Sequence, residues 1–98
     1  MKDFTRVIED FGVKNQYVIA TDKGVIFQSY NSIIAIIEYG KLKFVGGNYQ
    51  ASKTTGKYRN LFFTNYFSEI SDLKSLEKFI SEKMVYNQDL QGYVLKEV

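Results

Sequence analysis

Histidine, cysteine and proline are all absent from the 98 residues. The lack of cysteine excludes disulfides, thiolate zinc sites, iron–sulfur clusters and cysteine nucleophiles. It suits a reducing interior, so the cytoplasm of the producing cell is the expected location. The lack of histidine removes the commonest general base and the commonest metal ligand together. No proline marks a linker, and there is no internal repeat or low-complexity segment. No apolar run approaches the roughly 18 residues of a membrane span. Met1-Lys2-Asp3-Phe4-Thr5-Arg6 breaks its apolar residues with charge at once, so neither export nor membrane insertion is signalled.

What is present is apolar and aromatic: 45% of the residues are hydrophobic, with eight Phe and eight Tyr. That is enough large apolar surface for a packed core at this length, and residues 1–98 read as one domain. Asp3 is placed to cap a short helix carrying Phe4, Val7, Ile8 and Phe11 at i, i+3, i+4 and i+7, ended by Gly12. Four strands follow, at Tyr17–Ile19, Val25–Phe27, Ser32–Tyr39 and Leu42–Val45. Turn residues Thr21-Asp22-Lys23-Gly24 and Tyr39-Gly40-Lys41 make an antiparallel meander the simplest arrangement. Ile33-Ile34-Ala35-Ile36-Ile37 reads as a central strand covered on both faces. A helix is expected near Lys57–Phe63, starting late because of Gly56. A clearer one is expected over Asp72–Lys83, capped by Ser71, with Leu73, Leu76, Phe79 and Ile80 on one face and Met84 continuing it. Tyr93-Val94-Leu95 can add a last strand. The fold class is α+β: an antiparallel sheet of about four to five strands packed with two or three helices.

The net charge of +2 is unevenly spread. Residues 39–68 hold Lys41, Lys43, Lys53, Lys57 and Arg59 and no acid, whereas the flanking segments carry a balance of −1 and −2. Tyr49, Tyr58, Tyr66 and Asn60 are interleaved with these cations, a mixture suited to phosphate contacts and base stacking. It would equally suit a protein surface that normally holds nucleic acid, or a merely solvated face. The candidate binding residues are Lys41, Lys43, Tyr49, Lys53, Lys57, Tyr58, Arg59 and Asn60. No catalytic or metal-ligating set and no cofactor is called for.

Gly47-Asn48-Tyr49-Gln50-Ala51-Ser52-Lys53-Thr54 comes one residue short of the phosphate-cradling loop, with Ser52 where its second glycine belongs. It reads as a polar loop entering a helix. Glu69, Asp72, Glu77 and Glu82 alternate with lysines on helical surface, while Asp22, Glu38 and Asp89 are the scattered acids from which a metal-dependent nuclease would have to be built. Serine is plentiful, but only lysine is available as its base. Tyr30-Asn31-Ser32 reads as a tight turn with Tyr30 packed inward.

At Phe27-Gln28-Ser29-Tyr30-Asn31-Ser32-Ile33-Ile34-Ala35, then Asn48-Tyr49, Ser52 through Asn60 and Phe62, the chain resembles small uncharacterised proteins of phages and plasmids of low-GC Gram-positive bacteria. The resemblance implies a mobile-element origin. Proteins of this provenance include anti-CRISPR proteins, which bind the Cas9 effector or block its assembly with guide RNA. The resemblance therefore implies a non-enzymatic inhibitor whose partner is a host-defence effector or its guide RNA complex, acting in the bacterial host cytoplasm as a monomer or homodimer. Lys53, Lys57, Tyr58, Arg59 and Asn60 are the matching polar positions. An acidic nucleic-acid mimic is disfavoured by a pI near 8.8. A nucleic-acid-binding accessory protein using the Lys/Arg/Tyr residues is the alternative from another class, and a metal-dependent nuclease the lesser one.

Overall fold

The structure, a computed structural model, describes residues 5–9 and 14–96, with side chains from residue 14 onward. Seven strands, β1 (Thr5–Glu9), β2 (Gln16–Thr21), β3 (Gly24–Ser29), β4 (Ser32–Glu38), β5 (Lys41–Gly46), β6 (Met84–Asn87) and β7 (Gly92–Leu95), form one antiparallel sheet in the order β1-β2-β3-β4-β5-β7-β6. Two helices, α1 (Lys53–Tyr66) and α2 (Leu73–Lys83), lie between β5 and β6 in the chain. The architecture is α+β, with more strands than the sequence suggested.

Two of the extra strands come from segments read otherwise. Val7 and Ile8 lie in a strand, not a helix; Asp3, Phe4, Phe11 and Gly12 lie outside the described residues. The helical spacing was real, but Thr5, Val7 and Ile8 are also β-branched, and the open margin of β2 offers backbone partners an isolated helix lacks. A one-residue shift in pairing, with Val7 opposite Ile19 and Glu9 opposite Val18, makes Ile8 a bulge. Met84 does not continue α2 but ends it: its amide still bonds the Ile80 carbonyl while its backbone is extended, and β6 begins there.

The β2–β5 meander forms as expected, and the Tyr39-Gly40 turn explains its tightest corner. Both residues have positive φ, 54° and 75°, as a two-residue hairpin of this twist requires. Tyr30 also has positive φ, but its side chain is 52% exposed, so the turn is tight and Tyr30 is not packed inward.

The core lies on one face of the sheet. Val18, Phe27, Ala35, Val45 and Tyr93 are successive partners across β2, β3, β4, β5 and β7. Against them pack Phe62 and Phe63 of α1, Leu76 and Ile80 of α2, and Ile70 between the helices. The Phe27 and Phe62 rings stack at 5.5 Å.

β4 is the middle strand, yet the helices cover only one of its faces. Its consecutive apolar run has another cause: Phe27 pairs with Ala35 and Gln28 with Ile33, so Ile34 is the extra residue of a bulge, and Ile34 and Ala35 are both buried.

α1 starts earlier than expected because the Ser52 side chain accepts from the Thr55 amide at 3.1 Å, capping the helix at Lys53. Gly56 sits within it, and a Cβ there would lie 3.6 Å from the Arg59 guanidinium. α2 is capped by Asp72, not Ser71, in a reciprocal capping box with Ser75. The Ser75 backbone amide bond holds the exposed Asp72 carboxyl below the ordinary aspartate range.

Among the described residues one buried group has no partner: the Gln16 side-chain amide is fully enclosed, with neither its oxygen nor its nitrogen hydrogen-bonded. An unpaired polar group of this kind costs about 1–3 kcal/mol. Gln16→Leu, which also suits a strand, is expected to stabilise the protein by about that amount. Urea titration would read it, and a loss of stability would refute the idea.

Candidate functional site

Strand alternation gives the sheet a second apolar row on the face away from the helices. Ile19, Ile26, Ile36, Phe44, Val94 and Val85 are successive cross-strand partners over β2, β3, β4, β5, β7 and β6. A purely solvated sheet face would carry polar residues there. All but the exposed Val85 are half-buried.

A groove of about 560 Å³ opens on this face, floored by Ile33, Ile36, Phe44 and Val94. Its shape depends on two local features. Ile36 pairs with Phe44 and Ile37 with Leu42, so Lys43 is the extra residue of a bulge, which sets its side chain beside Phe44 at the groove. Gly92 lets the Phe44 ring cross β7: a Cβ there would meet ring carbons at 2.5 Å. Asn31, Ser32, Asn48 and Gln91 form a neutral polar rim. The Asn48 amide donates to Ser32 Oγ at 3.1 Å, and the Gly47 amide to the Gln91 carbonyl at 2.9 Å. The lining holds one cation and no carboxylate.

The eight candidate binding residues do not gather on one surface. Lys41 is exposed but sits directly across the hairpin from Glu38. Lys43 belongs to the groove. Lys53 and Lys57 are exposed on α1, on the side of the sheet away from the groove, and the Lys57 ammonium lies 5.3 Å from the Tyr58 ring centre. Tyr58 is half-buried against the core.

Arg59, expected to face a ligand, is instead 4% exposed. Its guanidinium donates to the Tyr49 carbonyl at 2.7 Å and twice to Asn60 Oδ1, at 2.9 and 3.2 Å. Burial lowers its pKa, because an enclosed cation loses hydration. Tyr49 is half-buried, its ring edge-on to Tyr93 at 6.2 Å, and burial raises its phenol pKa. Arg59, Tyr49 and Asn60 thus form a structural network joining the loop before α1 to the helix.

The acid-free stretch of sequence is not acid-free in space: Glu77 of α2 reaches this network, accepting from Gln50 at 3.4 Å. The scattered acids are separated too. Asp22 and Glu38 lie near one end of the sheet and Asp89 in the turn at the other. Among the described residues no three Asp or Glu side chains are grouped to hold a metal ion, and no helix is long and apolar enough to cross a membrane.

The family of unknown function DUF8033 matches residues 6–81. The chain belongs to this family. No curated protein and no solved structure matches it. In this DUF8033 protein the matched stretch runs from β1 into α2, and it includes Ile33, Ile36, Lys43 and Phe44. Of the groove residues, Leu90, Gln91 and Val94 lie outside it and come from the β6–β7 hairpin. The groove carries almost no charge to mark it in the sequence; its trace there is one apolar residue in each of β2 to β7 on the face away from the helices.

Proposed function

We propose that this DUF8033 protein is a non-enzymatic inhibitor from a phage or mobile element. It binds a host-defence nucleoprotein in the bacterial cytoplasm, most concretely a Cas9 effector, and blocks its guide RNA assembly or activity. The observation that carries the reading is the groove on the open sheet face. An apolar floor, an amide rim and a single lysine without a carboxylate suit a protein segment that brings aliphatic side chains to Ile36, Phe44 and Val94 and an acid to Lys43. Asn31, Ser32 and Asn48, part of the resemblance to phage and plasmid proteins, border the same groove.

The test is Cas9 cleavage with the protein added before or after guide RNA loading, with RNA integrity followed in parallel. Inhibition on early addition with intact RNA is expected. Lys43→Glu is expected to weaken it about tenfold or more, the effect of reversing one contacting charge, while Lys53→Ala combined with Lys57→Ala leaves it unchanged. Cleavage undisturbed in either order would sink the proposal, and degraded RNA would replace it with a nuclease.

A second reading, a nucleic-acid-binding accessory protein, is favoured by one observation: the first two turns of α1 carry exposed Lys53 and Lys57 and no acid. It expects strongly salt-dependent binding of free RNA or DNA, with each of these lysines changed to Ala lowering the salt slope by about one.

A further inference from the structure

We infer that the free margin of β6 is a self-association interface: β6 pairs antiparallel with β6 of a second copy, with Tyr86 opposite Tyr86 across a two-fold axis. This goes beyond the inhibitor reading and does not depend on it.

The pairing phase of the last hairpin sets which backbone groups are free. The Lys96 amide donates to the Lys83 carbonyl at 2.9 Å, which makes that opposed pair hydrogen-bonded. Opposed pairs alternate in an antiparallel ladder, so Val85 with Val94 and Asn87 with Gly92 are bonded, while Met84 and Tyr86 turn their backbone groups away from β7. The Met84 amide is used by the Ile80 carbonyl. The amide and carbonyl of Tyr86 and the carbonyl of Met84 therefore face outward at the end of the sheet, where no described strand follows β6.

Nothing in β6 guards this margin. Met84-Val85-Tyr86-Asn87 contains no charge, proline or glycine, and Val85 and Tyr86 are 44% and 49% exposed. The opposite margin, β1, carries Arg6 and Glu9 within five residues. A second copy fits the β6 margin better than an unrelated strand, because the pattern is complementary to itself. With Tyr86 opposite Tyr86, the two residues exchange both of their free hydrogen bonds. The same axis sets Lys83, three residues before, toward Asp89, three residues after, and does so twice. In this register Val85 stands opposite Asn87 of the second copy, and the open faces of the two sheets lie on the same side of the joined sheet.

The experiment is sedimentation equilibrium of the full chain over a wide concentration range, with hydrogen exchange at Tyr86 followed at both extremes. A species of twice 11.4 kDa is expected at high concentration, with exchange of the Tyr86 amide slowed as it forms. Tyr86→Pro deletes an outward-facing amide without removing a bond to β7. It is expected to weaken association about tenfold, as loss of two symmetric hydrogen bonds implies. Val85→Lys, which leaves the backbone intact, is expected to act in the same direction and serves if the proline variant does not fold. A chain that stays at 11.4 kDa throughout, a folded variant of either kind that associates undiminished, or a Tyr86 amide whose exchange ignores concentration would overturn the inference. So would association with an unrelated extended peptide at this edge in place of the second copy.

Discussion

Phe62→Ala is expected to leave the protein barely folded at physiological temperature. Phe62 is fully buried and touches three other rings, stacking on Phe27 at 5.5 Å and meeting Phe63 and Tyr66 at 5.6 and 5.3 Å. Truncating such a side chain costs about 3–5 kcal/mol, because contacts are lost and the cavity collapses only in part. Domains of this size have about 5–15 kcal/mol in all. Each kcal/mol lowers the melting temperature by roughly 4–8 °C, so a fall of more than about 12 °C should appear in a thermal melt. A fall of only a few degrees would mean that α1 is not the element that closes the core over β2 and β3.

Arg59→Ala carries the second large effect, and its interest lies in what it would imitate. Removing the guanidinium strands the Tyr49 carbonyl and Asn60 Oδ1 and deletes a side chain packed along Gly56. Hydrogen bonds from a charged group are worth about 1.5–3 kcal/mol, so a loss of about 2–4 kcal/mol is expected once packing is included. Lys53→Ala and Lys57→Ala, on exposed helix, should stay within about 0.5 kcal/mol of the parent. Arg59→Lys should rescue little, since an ammonium cannot reproduce the planar fork that reaches both acceptors. A binding assay that used Arg59→Ala alone would read unfolding as lost contact; urea titration of the same variants separates the two. Parent-like stability of Arg59→Ala would show that the network is dispensable.

These two residues also show how far the sequence could be read. Phe62 falls within the helix expected near Lys57–Phe63, where a large apolar side chain is legible as packing. Arg59 was not, because the features that make an arginine a ligand contact, a nearby tyrosine and asparagine and no adjacent acid, are the same ones that make it a buried clasp. The meander was legible from its turns and β-branched runs. The Val7-Ile8 segment was not, since five residues carry both a helical and a strand period, and only the open margin of β2 decides between them. Ile33–Ile37 was assigned correctly to a central strand for a reason that fails: no second helical layer covers it, and the bulge at Ile34 together with the apolar row on the open face accounts for its consecutive apolar positions. A bulge leaves no local mark in sequence, so the resulting place of Lys43 beside Phe44 was not legible.

The position of β7 has a kinetic consequence. The β2–β5 strands are sequence neighbours and can zip together by short loop closures, but β7 must enter between β5 and β6 after both helices have been traversed, and its partner Phe44 lies about half the chain away from Val94. Until β7 docks, the margin of β5 is bare, and Leu42, Phe44 and Val45 line a strand ready to pair with anything extended. Docking of this last hairpin is then the slow step of folding, and the interval before it is when the chain is most prone to aggregate.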